Sequence, residues 1–222
     1  MLSTTKNVAI SGVNLSVRDI GSGTPALVFL HYWGGTSRTW DLVAAELSRT
    51  YRCVAPDLRG WGASDKPTGE YGLDVQANDV AALIKSLDLR KYVLIGHSMG
   101  GKIAQILGAR RPTGLQGLVL VAPAPPTPMG APENQRRMML ESYQTRAGVE
   151  TALTILAEKP LSPELRQQVV DDTLSGSPLA KKAWTERGMT LDISGVVGNI
   201  NVPTTAIVGD ADRVESEGVL RR

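Results

Sequence analysis

The 222-residue chain carries 24 Lys and Arg against 22 Asp and Glu, and a net charge of +2 speaks against a nucleic acid or an anionic membrane surface as partner. Apolar residues make up 42% and charged residues 21%, an ordinary globular balance, and the length suits one domain with room for an inserted subdomain. No apolar run approaches a membrane span and the N-terminal stretch lacks a signal-peptide core; the single cysteine, Cys53, lies in the apolar run YRCVAPDL, so the expected setting is cytoplasmic with Cys53 a buried small side chain.

Two alternating segments, NVAISGV and NLSVRDI, open the chain and precede the turn signal Gly21-Ser22-Gly23. Joined by almost no connection, they should pair antiparallel at a sheet edge. ALVFLHY (26–32) is an apolar run of strand length, as expected of a strand covered on both faces. Ser37 then reads as the cap of a helix through RTWDLVAAEL, with Trp40, Val43, Ala44 and Leu47 on one stripe. YRCVAPDL is a further strand, and LDVQANDVAALIKSLDL has helical spacing. YVLIG, a helix after Ser98, and LQGLVLVAPA repeat the scheme. Strands alternating with helices predict a mostly parallel sheet flanked by helices, an α/β fold.

After Ala124 the composition changes. PAPPTPMGAPENQ is dense in proline, and 133–190 read as helices without strands. One helix is expected over about 134–158. A second starts at Ser162-Pro163 and a third at Ser177-Pro178, each a cap residue followed by proline at the first helical position. The division expected is 1–124 for the first part of the core, 125–195 for a helical lid and 196–222 for the second part of the core. Strand pattern returns at VPTTAIVGDAD (202–212). The methionines and Trp184 of the helical part (Met129, Met138, Met139, Met189) fit either an adaptable pocket lining or plain packing against the core.

The informative stretch is GHSMGG (96–101), between a strand and a helix. A strand that becomes a helix within one or two residues needs small neighbours on each side of the bend. The apex residue, Ser98, is then lifted above the sheet at the positive N-terminus of the new helix. A serine there meets substrate, and an anion beside it meets free backbone N–H groups. The structural alternative is that Ser98 is only a small turn residue.

With LVFLHYWGGTSRTW, APDLRGWGASDKP and VPTTAIVGDADRV, this motif resembles the α/β-hydrolase superfamily, in its serine esterase-like branch, over the whole chain. The resemblance implies Ser98 as nucleophile and the N–H groups of Met99 and Trp33 as oxyanion donors. It implies Asp212 as the acid, favoured by spacing over Asp210. His31, Tyr32 and Trp61 are expected to line the pocket, whereas Asp57, Arg59 and Ser64 should brace the loop after the fourth strand. Tyr32 stands where many relatives carry glycine, and a positive φ there would cost about 1–2 kcal/mol. Serine at the elbow implies acyl transfer on an ester, lactone, amide or related small-molecule acyl substrate, with no cofactor and no metal.

The family's order is Ser, acid, then His, yet the chain holds only two histidines, His31 and His97, and neither follows Asp212. The expectation is therefore a C-terminally truncated form, lacking the last strand, the histidine and the final helix, and weakly active or inactive. An exposed sheet edge and self-association through it would follow. The alternative is a non-catalytic binding protein that uses the same pocket for a small molecule.

Overall fold

The computed structural model describes residues 4–10, 12–212, 214 and 218. Seven strands form one sheet in the order β1-β2-β4-β3-β5-β6-β7: β1 (Thr4–Ile10), β2 (Val13–Ile20), β3 (Ala26–Leu30), β4 (Cys53–Pro56), β5 (Tyr92–His97), β6 (Leu115–Val121) and β7 (Thr204–Ile207). β1–β2 and β2–β4 are antiparallel, with Val8 opposite Leu15, and the four remaining pairs are parallel. The expected edge hairpin and mostly parallel sheet are both present. β7 at the other edge is exposed along its length.

Strand alternation divides the core between the two faces. Val28, Leu30, Val54 and Leu94 join the larger cluster with α2 (Leu73–Ser86) and α3 (Met99–Ala109). Leu27, Phe29, Cys53, Ala55 and Ile95 face the other side with Trp40. Side chains pointing to opposite faces at a period of two explain why these strands read as continuous apolar runs.

The segment after β3 differs from its expected form. Ser37–Trp40 is a 3-10 turn and α1 covers Asp41–Leu47. Its cap is Thr36, whose hydroxyl accepts the Arg38 N–H at 3.2 Å, and the Ser37 N–H donates to Asp57 Oδ1 at 2.7 Å. The change to 3-10 geometry shifts the apolar stripe, and Val43 is left 45% exposed.

Between β6 and β7 lie α4 (Glu133–Ser142), α5 (Arg146–Leu156), α6 (Pro163–Ser175) and α7 (Pro178–Ala183), a π-helical turn (Trp184–Gly188) and α8 (Ser194–Val197). The single helix expected over 134–158 is two. Thr145 has extended backbone and accepts the Gly148 N–H at 3.1 Å, a cap that restarts the chain in a new direction. Ser162 and Ser177 cap α6 and α7 as read from the sequence, accepting the N–H groups of Leu165 and Ala180.

The two joints of this helical segment are tied to each other and to α3. Met129 N–H donates to Met189 O at 2.8 Å, and Ile193 N–H to Pro126 O at 2.8 Å. Lys102, fully buried on α3, donates from Nζ to Thr127 O at 3.3 Å and Leu191 O at 2.5 Å. One ammonium thus fastens both ends of the segment to the helix that starts at Ser98.

Candidate active site

Ser98 occupies the bend between β5 and α3 with φ 51° and ψ −113°. A non-glycine residue at positive φ costs on the order of 1–3 kcal/mol and persists only where its surroundings hold it. Here the Ser98 N–H donates to Val121 O at 3.1 Å, while Ser98 O accepts the N–H groups of Ala124 and Lys102, each at 3.1 Å. The flanking glycines are required by close approach. A Cβ on Gly96 would stand 2.4 Å from Gly100 O, and one on Gly100 would stand 2.4 Å from Leu30 O. The glycine frame therefore lets α3 start directly against β3 and β5, which lifts Ser98 over the sheet.

Ser98 lines a cavity of about 700 Å³ together with Tyr32, Trp33, His97, Asp210 and Asp212. The Met99 N–H belongs to the first turn of α3, where backbone donors have no intrahelical acceptor. Across the cavity, Gly35 N–H closes a turn onto Tyr32 O at 3.0 Å, and the left-handed residue is Gly34 with φ 95°. Tyr32 is the first residue of that turn and needs no positive φ, so the strain feared for it is absent.

This turn is bound to the helical segment at several points. The Trp33 ring stacks on Tyr143 at 4.0 Å. Its Nε1 donates to Lys181 O at 3.3 Å, and Lys181 Nζ donates to Tyr143 O at 2.8 Å. Thr173 Oγ1 donates to Gly34 O at 3.0 Å, and Arg38 grips the buried Asp172 through Nε at 2.9 Å and Nη2 at 2.5 Å. Burial nonetheless pushes the Asp172 carboxyl up, with Arg38 pulling against it. Burial also raises the Tyr143 phenol to about 12, which keeps it neutral.

Of the residues expected around the pocket, Tyr32 lines it, whereas His31 and Trp61 are fully buried and outside its lining. The physical reason is plain for His31. Its Nε2 accepts the Leu58 N–H at 3.0 Å, so Nδ1 carries the proton and donates to Tyr32 O at 2.8 Å. Burial pulls its pKa down from 6.5 to about 4, and both ring nitrogens are occupied by the framework. Trp61 is edge-on to His31 with ring centroids 6.0 Å apart, and packs where a side chain on Gly176 would collide with it.

His97 does line the cavity, with its ring 5.0 Å from that of Tyr32 and 6.4 Å from that of Trp40. Burial lowers its pKa, and the Asp212 carboxylate acts in the opposite direction. Asp212 Oδ1 accepts the Val214 N–H at 2.8 Å, and the Asp212 N–H donates to Gly209 O at 3.1 Å. Asp210 lines the same cavity, so the lining includes both acids.

The loop after β4 is braced by the side chains its motif contains. Asp57 accepts the N–H groups of Ser37 and Ala63, and Ser64 Oγ donates to Asp57 O at 2.6 Å. Arg59 pairs with buried Asp79 through two bonds of 2.7 Å. Among the described residues, no group of three or more His, Cys, Asp or Glu could hold a metal ion, and no helix is long and apolar enough to cross a membrane.

On the far wall the sequence left pocket lining and core packing both open for the methionines and Trp184, and it missed the contribution of α5. Met129, Met139, Trp184 and Met189 line the cavity, while Met138 faces solvent. α5 contributes Val149, Ala152, Leu153 and Leu156. Their i, i+3, i+4, i+7 spacing was the available signal.

Comparison with known proteins agrees with this geometry. Residues 25–187 match the family profile described as alpha/beta hydrolase fold. The AB hydrolase superfamily protein YisY of Bacillus subtilis is 33% identical over 218 residues, covering 91% of this chain and 79% of that protein. A non-heme chloroperoxidase of Streptomyces lividans is 38% identical over 136 residues, 60% of this chain and 49% of that protein. An esterase from Exiguobacterium antarcticum superposes with a TM-score of 0.89 over 99% of this chain and 85% of that one, at 24% identity, a likeness of fold. The chain belongs to the α/β-hydrolase fold family.

Proposed function

We propose that the protein is a serine hydrolase of carboxylic esters or related acyl compounds, working through an acyl-enzyme on Ser98. The observation that carries this reading is Ser98 held at φ 51° at the N-terminus of α3, facing an apolar cavity that Asp210 and Asp212 also line. Ser98 Oγ attacks the acyl carbon, and the carbonyl oxygen takes the electron pair. The N–H groups of Met99 and Trp33 stabilise that oxyanion, the alcohol departs with a proton, and water releases the acid. Relatives named hydrolase and esterase support this reading.

The serine proton needs an acceptor. His31 is committed on both nitrogens, and His97 is the residue before Ser98 and packs on Tyr32 and Trp40. The base in this reading is a histidine that these 222 residues do not contain, oriented by Asp212. Loss of a triad member leaves only a residual acceleration of roughly 10³–10⁴ over water. The segment 125–195 serves as the lid that selects the acyl or alcohol group. The free, buried Cys53 thiol supports a reducing, cytoplasmic setting.

With both ring nitrogens of His31 committed to the framework, the second reading is a binding protein that holds a small molecule in the same cavity. Hydrolysis of p-nitrophenyl acetate with added imidazole separates the two. The serine hydrolase reading expects a component that rises with imidazole and vanishes in Ser98→Ala. Equal rates in the two proteins at every imidazole concentration would leave the binding reading.

A further inference from the structure

Tyr32 and Tyr143 reach one cavity from two different elements, the turn after β3 and the end of α4, and Ser98 lines the same cavity. Each ring is packed in place. The Tyr32 ring lies 5.0 Å from that of His97, and a Cβ on Gly35 would stand 2.9 Å from Tyr32 Cε1. The Tyr143 ring stacks on Trp33, and a Cβ on Gly34 would stand 2.9 Å from Tyr143 Cε2. The Gly34-Gly35 pair thus leaves room for both phenols.

Their hydroxyls are the unused part. The backbone carbonyls of Tyr32 and Tyr143 accept from His31 Nδ1 and Lys181 Nζ, yet among the described residues neither hydroxyl has a hydrogen-bond partner. Burial raises the Tyr143 phenol to about 12 and pushes Tyr32 up as well, where the neighbouring Tyr143 phenol and Asp172 carboxylate add to the effect. Both phenols are therefore neutral donors, close enough to feel each other. A hydroxyl withdrawn from bulk water and left unbonded is costly, so two of them on one cavity point to an acceptor that arrives with a ligand.

We propose that the Tyr32 and Tyr143 hydroxyls form a donor pair for an uncharged oxygen, of a ketone, amide or ether, that the substrate carries beyond its reacting carbonyl. Glycine, which stands at position 32 in many relatives, has no hydroxyl to supply, so the pair distinguishes this chain. Neutral phenols suit a neutral acceptor. Among the described lining residues the charged ones are Asp210, Asp212 and Glu158 against Lys159, and Asp172 acts on Tyr32, so a carboxylate would meet mostly negative charge. The inference rests on the serine hydrolase reading for the reacting carbonyl, which the N–H groups of Met99 and Trp33 serve. Binding of the second oxygen needs no chemistry at Ser98.

Calorimetric titration of the intact chain with acetophenone and with α-methylstyrene, which exchanges the carbonyl oxygen for a methylene of similar shape, isolates the acceptor. Tyr32→Phe and Tyr143→Phe keep both rings and their packing. Each should weaken acetophenone binding about fivefold, the equivalent of ~1 kcal/mol, and change α-methylstyrene binding less than about twofold. The infrared band of carbonyl-labelled acetophenone should lie at lower frequency on the parent than on the double variant. Benzoate, similar in size but charged, should bind more weakly than acetophenone. Equal losses for acetophenone and α-methylstyrene would show that the rings only pack. That result, unchanged acetophenone affinity in both variants, no acetophenone binding by the parent, or tighter binding of benzoate would overturn the donor pair.

The effects of both Phe substitutions on acetophenone should persist in the Ser98→Ala background. Their loss there would place the oxygen on Ser98 and also overturn the pair. If they persist while imidazole-assisted hydrolysis of p-nitrophenyl acetate is equal in Ser98→Ala and the parent, the nucleophile falls and the donor pair stands.

Discussion

Trp33 and Tyr143 stack with ring centroids 4.0 Å apart and planes 12° from parallel, joining the turn after β3 to the end of α4. The backbone N–H proposed as an oxyanion donor is therefore positioned in part by a side chain of the helical segment. Tyr143→Ala should destabilise the fold by about 2 kcal/mol, the stacking term of about 1 kcal/mol plus lost burial. Tyr143→Phe keeps the ring and should cost less than about 0.5 kcal/mol. Urea unfolding of the three proteins checks both values; equal losses in the two variants would mean that the hydroxyl, not the stack, carries the contact.

Lys102 joins the two joints of the helical segment through the carbonyls of Thr127 and Leu191. Lys102→Met keeps the length of the side chain and leaves two carbonyls without that donor, at a cost of about 2–4 kcal/mol. Hydrogen exchange should quicken at 126–129 and 189–193 while β3 and β5 stay protected. Uniform loss of protection across the sheet would contradict a role confined to the joints.

His31 gives the fold an acid-side weakness. Burial holds its pKa at about 4 against 6.5, so the unfolded chain takes up the proton first as pH falls. The stability held by neutral His31 is complete above about pH 6.5 and drains toward pH 4, by about 3 kcal/mol at 1.36 kcal/mol per pKa unit. Gln can accept from Leu58 and donate to Tyr32 O without titrating. His31→Gln should therefore lose less stability than the parent between pH 7 and 4 in urea unfolding. Parallel pH profiles would refute the assignment.

Cys53 lies buried in the smaller core cluster, and burial pushes its thiol up to about 11. A thiol reagent such as DTNB should leave the native protein unmodified at pH 8 and react with one thiol in denaturant. Rapid reaction of the folded protein would show that β4 opens readily.

The elbow was legible in the sequence because its geometry admits few residues. Glycine must stand at 96 and 100 where backbone passes within reach of a Cβ, and that demand leaves a visible pattern. The central strands β3, β4 and β5 were legible because they are covered on both faces. The pocket wall was not. His31 and Trp61 stand behind it because the Leu58 N–H, distant in sequence, claims the imidazole. The break at Thr145 was hidden because apolar spacing continues across it, and only the cap bond to Gly148 marks the turn. The path of the turn after His31 depended on Gly34 taking the left-handed position, which made Tyr32 acceptable.

The central claim, that Ser98 is the nucleophile of this cavity, is tested most directly by mass spectrometry after incubation with a fluorophosphonate. The account predicts one slowly formed adduct on the peptide containing Ser98, absent in Ser98→Ala. An adduct that maps to another residue, or one that forms equally fast in Ser98→Ala, would contradict it.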